Sequence, residues 1–260
     1  MEISLAGRAA IITGGSKGLG LAMAKRFSMS GADVAILARG QEGLDAAQAE
    51  LTPTAKGKIV AIACDVSKAD EIARAYEAVM KRLGHIDIVV NNAGTSRTGA
   101  FETVTDEIWQ EDLDLKLFAA IRLTRLAWPQ MKERNWGRVI NVLNIGAKAP
   151  RAGSAPTTIS RAAGMALTKV LAGEGAPNNI LVNAMLVGLI ITEQVKKWHV
   201  LRGGNVTLEE HIANTGKPVP MGRMGTSEEF ANLACFLASD QGGYITGTAI
   251  NVDGGMSPVV

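Results

Sequence analysis

A short apolar run, Ala9-Ala10-Ile11-Ile12, leads directly into Thr13-Gly14-Gly15-Ser16-Lys17-Gly18-Leu19-Gly20, and that junction restricts the chain to few architectures. Leu19, Ala22, Met23 and Phe27 recur at helical spacing after it, so the glycines occupy a strand-to-helix turn. Glycines at 14, 18 and 20 let the chain turn sharply, bring backbone N–H groups up to a ligand, and allow the new helix to pack close on a sheet. The unpaired amides and positive dipole end of that helix converge on one point, where a diphosphate fits. Ordinary tight turns also use glycine, so the glycines alone leave a plain structural turn open. The order strand, glycine turn, helix is what favours a nucleotide site.

The alternation continues along the chain. Strands are expected at 33–37, 58–63, 86–90, 137–143, 180–185 and 249–252, and helices at 41–51, 68–83, 105–135, 156–171 and 227–238. Short connections between alternating elements imply right-handed crossovers and a parallel sheet with helices on both faces. A 47% hydrophobic fraction with only 4% aromatics requires a core of Ala, Val, Ile and Leu, which suits buried parallel strands. The formal charge of +2, without a long charge run, gives no field that argues for nucleic acid or an anionic membrane. No apolar run approaches membrane-spanning length, and Met1-Glu2-Ile3-Ser4-Leu5 lacks an export pattern, so a cytoplasmic location is expected. Cys64 and Cys235 stand in apolar contexts without metal-ligand spacing and read as free thiols, with no metal site. From 191 to 219 the chain turns polar, carrying Trp198, His199, Gly203, Gly204 and His211. Placed after a strand's carboxyl end, this stretch is the candidate for a mobile lid over a small-molecule substrate.

Taken together, these motifs resemble the short-chain dehydrogenase/reductase family over essentially the whole chain. The turn matches the family's Thr-Gly-x-x-x-Gly-x-Gly, Cys64-Asp65-Val66 its adenine-contacting Asp-Val, and Asn91-Asn92-Ala93-Gly94 its sheet-stabilising motif. Pro220-Met221-Gly222-Arg223-Met224-Gly225, Ile245-Thr246-Gly247 and Val252-Asp253-Gly254-Gly255 match its C-terminal third. The resemblance implies a single-domain Rossmann fold over 1–260, a doubly wound parallel sheet of about seven strands, and a homo-oligomer, tetramer or dimer, built on the long helices and the last strand. It also implies a dinucleotide held by Gly14, Ser16, Lys17, Gly18, Leu19 and Gly20, by Asp65 and Val66, and by Asn91, Ala93 and Gly94. At the nicotinamide end it adds Gly188, Ile190 and Thr192, although Val187 replaces the family's Pro before Gly188. Users of NAD place an acid after the second strand, where this chain has Ala38 and then Arg39. With Lys17 in the turn, two cations and no carboxylate favour NADP(H) over NAD(H), unless both are simply solvated surface charges.

The chain departs from the family where the chemistry sits. The family's Tyr-x-x-x-Lys pair falls on Thr157 and Arg161, its Ser on Asn144, and its helix Asn on Lys116. A phenol titrates near 10 and a neighbouring cation lowers it, whereas a threonine hydroxyl does not titrate usefully. Tyr-based carbonyl reduction is therefore disfavoured. Arg161 retains the N–H fork needed for ribose hydroxyls, Lys116 becomes an acid or base if desolvated beside it, and Asn144 donates to or accepts from a substrate oxygen. Three readings stay open: an NADP(H)-dependent oxidoreductase with a rebuilt proton donor acting on a small carbonyl or alcohol, a lyase, hydratase or dehalogenase without hydride transfer, and a catalytically silent nucleotide-binding protein.

Overall fold

Every residue of β1 (Ala9–Thr13) is buried, which a strand achieves only when both faces of its sheet are covered. A computed structural model of the chain describes residues 3–202 and 205–260, with the side chains at 194, 197, 198 and 202 outside the description. The expected lid residues Gly203 and Gly204, and the Trp198 side chain, therefore lie outside the described residues. From β1 the chain runs through α1 (Gly18–Met29), β2 (Asp33–Ala38), α2 (Gln41–Leu51), β3 (Ile59–Ala63), α3 (Ala69–Leu83) and β4 (Ile88–Asn91). Successive side chains of β1 serve opposite faces. Ala10 and Ile12 join Phe27 of α1 on one side, while Ala9 and Ile11 join Val79 of α3 on the other.

Beyond β4 come a short strand β5 (Thr98–Gly99) and α4 (Asp106–Leu113), which continues through a π-helical turn, Asp114–Phe118, into α5 (Ala119–Glu133). Next are β6 (Gly137–Asn144), β7 (Ala155–Pro156), α6 (Thr157–Gly175) and β8 (Ile180–Val187). The chain closes with α7 (Glu193–Arg202), α8 (Leu208–Gly216), α9 (Ser227–Ala238) and β9 (Ala249–Val252). Seven strands form one parallel sheet in the order β3-β2-β1-β4-β6-β8-β9. The order reverses between β1 and β4, and a crevice opens there at the carboxyl ends of the strands.

Three features differ from expectation. The helix expected over 105–135 is interrupted by the π-helical turn, which adds a residue to one turn and rotates everything after it. The polar stretch after 191 folds as two helices, the second started by a reciprocal cap between Thr207 and Glu210. β5 and β7 pair antiparallel as a ribbon over the end of the sheet, too short to leave a periodic signal. No described helix is long and apolar enough to cross a membrane.

Candidate active site

The crevice is a cleft of about 360 Å³ whose floor is the glycine turn and whose far wall carries Asn144, Thr157 and Arg161. Gly14 and Gly18 hold positive φ angles of 64° and 56°, which side chains with a Cβ rarely adopt. A Cβ on Gly20 would overlap the Gly14 carbonyl oxygen and crowd Asn92. Asn92 clamps the turn: its Nδ2 donates to the carbonyls of Thr13 at 2.8 Å and Gly14 at 3.2 Å. The backbone N–H groups of Asn92 and Ala93 both donate to Thr13 Oγ1, at 2.9 and 3.0 Å. Helix α1 then starts without a side-chain cap and without a carboxylate in its first turn, so its leading amides are left for an external anion. Thr192 faces this spot, close enough that a Cβ on Gly18 would meet it at 3.7 Å.

Arg39, which follows β2, and Lys17, in the glycine turn, are both exposed. Burial works against ionisation of Asp65, but donation from the Ser67 hydroxyl and N–H, with Arg39 and Lys68 nearby, holds its carboxyl below the usual range. Ser16, Lys17 and Leu19 lie in or beside the turn as expected, and Val66 is buried against α3. Asn91 and Ile190, expected at the cofactor, have side chains that turn into the protein interior. Asn91 is buried in β4, where its Nδ2 donates to Asn141 at 2.8 Å and Thr124 at 3.2 Å, so it ties strands together behind the cleft. Ile190 is buried in the core, and its backbone bridges to Gly225. Strand alternation makes the choice in β4: Asn91 points into the sheet's face and Asn92 reaches the turn.

At the other end of the cleft the substituted positions meet. Lys116 stands in the middle of the π-helical turn with its side chain wholly removed from water, paired with Asp112. Its Nζ also donates to Thr157 Oγ1 at 2.7 Å. Burial pulls the Lys116 pKa down to about 8 against the upward pull of Asp112, and Arg161 and Arg97 add to the depression. The Thr157 hydroxyl donates to the Arg97 carbonyl at 2.7 Å and accepts from the Arg97 N–H at 2.9 Å, so it joins Lys116 to the loop leading into β5. Arg161 Nη1 donates to the Val142 carbonyl at 2.8 Å, and its guanidinium lies so close over Gly94 that a Cβ there would overlap Nη2. Burial lowers the Arg161 pKa to about 10, with Asp112 opposing. Asn144 presents a buried Oδ1 with no hydrogen-bond partner among the described residues. An acceptor without a donor in a cleft wall is costly unless a ligand supplies one.

These residues fit a nicotinamide dinucleotide. The capless helix start and the glycine floor suit its diphosphate, while Arg161 beside Gly94 and the orphaned Asn144 Oδ1 suit the hydroxyl-rich and amide groups at its other end. Asp112, Ser160 and the backbone of Arg97 complete the site and were not expected in it. Ser160 Oγ donates to Asp112 Oδ2 at 2.6 Å. A signal for Asp112 existed, since it stands four residues before Lys116 on one helical run. None existed for Arg97, which acts through its backbone. In α7 and α8 the rings of His199 and His211 lie 5.4 Å apart, and neither lines the cleft, whereas Glu193 does.

A family profile described as enoyl-(acyl carrier protein) reductase matches residues 14–257. The dehydrogenase/reductase SDR family member 4 of Homo sapiens is 34% identical over 253 residues, which cover 96% of this chain and 88% of that protein. The L-sorbose reductase of Gluconobacter frateurii, solved with NADPH and L-sorbose, superposes with a TM-score of 0.95 at 33% identity, over 100% of both chains. A short-chain oxidoreductase from Pseudomonas aeruginosa PAO1, solved in its apo form and described as containing an atypical catalytic centre, superposes with a TM-score of 0.92 at 35% identity, over 99% of this chain and 100% of that one. Sequence, sheet order and cleft agree that the chain belongs to the short-chain dehydrogenase/reductase family of oxidoreductases.

Proposed function

We propose that the chain is an NADP(H)-dependent oxidoreductase that reduces a small carbonyl, or oxidises the matching alcohol, with its proton supplied by Lys116 through the Thr157 hydroxyl. The observation that carries this reading is the 2.7 Å bond from a water-free lysine ammonium to the hydroxyl of Thr157, a residue that lines the cleft. A nicotinamide dinucleotide, when bound, supplies or accepts the hydride. Gly14, Gly18 and Gly20 with the start of α1 hold its diphosphate, Arg161 and Gly188 its nicotinamide end, and Arg39 with Lys17 the 2′-phosphate. NADPH in the complex of the sorbose reductase supports that preference.

The chain's own part in reduction is proton delivery. Thr157 Oγ1 turns its proton from the Arg97 carbonyl to the substrate oxygen as Lys116 Nζ passes one to Oγ1, leaving a neutral amine that is recharged after product release by the reverse relay, a proton from solvent in the emptied cleft passing back through Thr157 Oγ1. Asn144 accepts from the product hydroxyl. In the reverse direction the neutral amine takes the alcohol proton by the same path. We also assign 191–219 the role of lid, the whole of 1–260 that of one functional domain, and the family's habit of homo-oligomerisation to this chain.

Following NADPH absorbance over a panel of small ketones, aldehydes and hydroxy-ketones tests the reading. Turnover is expected with NADPH well above NADH, and Lys116→Met is expected to lower kcat about 10²- to 10⁴-fold with little change in NADPH affinity. Arg39→Asp is expected to narrow the gap between the two coenzymes. Tight NADPH binding with no turnover on any member would favour the silent nucleotide binder, and turnover that persists after nucleotide removal would favour the lyase class.

A further inference from the structure

A lysine in a spot that excludes water stays charged only with an anion held against it, and the residue that faces Lys116 is Asp112. Its side chain is 2% exposed, pairs with Lys116 Nζ from one turn earlier, and accepts from Ser160 Oγ at 2.6 Å. Ser160 is itself held by its place in α6, beside Thr157 and Arg161. We propose that Asp112 is the positioning residue of the proton route: its carboxylate, fixed on one oxygen by Ser160, holds the Lys116 ammonium against the Thr157 hydroxyl and keeps it charged. The inference rests on the reading of Lys116 and Thr157 given above.

Geometry and charge balance both support the assignment. Asp112 Oδ1 lies on the side of Lys116 and 3.4 Å from Thr157 Oγ1, so ammonium, carboxylate and hydroxyl form one compact cluster. The charged groups that act on Lys116 are Asp112 from α4, Arg161 from α6 and Arg97 from the loop before β5, and only the first is an anion. Without it, two guanidinium charges and desolvation all oppose a proton on Nζ, and an isolated buried ammonium gives up its proton rather than stay charged. Lys116 sits in the π-helical turn, and both members of the pair bond to residues of α6, Lys116 to Thr157 and Asp112 to Ser160.

The test uses the full chain. Asp112→Asn preserves size and removes the charge, and Ser160→Ala releases one carboxylate oxygen and serves as the milder variant in case the first does not fold. Two readouts are taken: NMR titration of Lys116 in protein carrying isotope-labelled lysine, with its signal assigned by loss in Lys116→Arg, and the pH profile of NADPH-dependent reduction. Asp112→Asn is expected to move the Lys116 titration about 1–3 pH units towards acid, Ser160→Ala less in the same direction, and the rate profile by the same amount as the titration. At pH 8 that shift lowers the reduction rate by about 5-fold or more, with recovery as the pH is lowered towards 6. A Lys116 titration that stays put in both variants overturns the role of Asp112 and leaves the proton route standing. A titration that moves under an unchanged rate profile shows that Lys116 is not the proton source, and the route and this inference fall together.

Discussion

Lys116 occupies a position where a charge is expensive, and the expense is what makes it useful. Its side chain is fully excluded from water, its pKa is drawn to about 8, and its one neutral partner is the hydroxyl of Thr157, a residue that lines the cleft. A lysine in free solution stays charged far above neutral pH and releases its proton poorly. Brought to about 8, it is an effective donor near physiological conditions. The sign of the pH dependence follows. On the proposed route carbonyl reduction needs the ammonium, so its kcat/KM is expected to be flat below about 8 and to fall above it, while alcohol oxidation rises towards the same inflection. Stopped-flow or steady-state rates in both directions between pH 6 and 10 check this, and two unrelated inflections would count against a shared group. Linkage adds a stability consequence. The unfolded lysine keeps its proton to the ordinary lysine range while the folded one loses it near 8, so this group makes the fold more stable as pH rises through that interval.

The elements around Thr157 matter because none of them holds the site alone. Thr157 is the first residue of α6 and follows directly on β7, and its hydroxyl is bonded to both the N–H and the carbonyl of Arg97, just before β5. One side chain thus fastens the β5–β7 ribbon to the head of α6 and to Lys116. Thr157→Val keeps the shape and removes these bonds, and about 1–3 kcal/mol of stability should go with the unsatisfied buried groups. Hydrogen exchange of the Arg97 amide is expected to quicken markedly and reduction to fall about 10²-fold or more, with Thr157→Ser close to the parent in both. Unchanged exchange at Arg97 would show that the ribbon is held by other contacts. A similar division of labour runs behind the cleft, where Asn91, Asn141 and Thr168 form a buried chain of hydrogen bonds from β4 to α6. Such a chain fixes helix to sheet.

At the scale of the molecule, apolar side chains remain on the outer face of the helical layer. Ile159 and Val170 are 50% and 57% exposed and lie eleven residues apart on one face of α6, and Phe118 and Leu126 are also exposed on the run that ends in α5. Isolated apolar residues on a surface need no explanation, but several along adjacent long helices suit a helix-to-helix interface. The proposed homo-oligomer uses this face. Sedimentation is expected to give a dimer or tetramer for the parent chain and a smaller species for Ile159→Asp/Val170→Asp, and a parent chain that sediments as a monomer at micromolar concentration would remove the proposal.

What the amino-acid order determined by itself was the alternation of strand and helix, the parallel sheet, and the glycine turn with its phosphate-ready helix, because each depends on spacing over fewer than about fifteen neighbouring residues. It also marked the four substituted positions Lys116, Asn144, Thr157 and Arg161. Only the tertiary structure decided what those four do together. Asp112, Lys116 and Thr157 meet in a water-free pocket because a π-helical turn rotates one helix against the start of another, and the Arg97 backbone closes the cluster from a third segment. Likewise, that the Asn91 side chain bonds within the sheet and the Asn92 side chain clamps the glycine turn is visible only in the structure. Desolvation and pairing arise from packing between distant parts of the chain, and no local pattern of residues carries them.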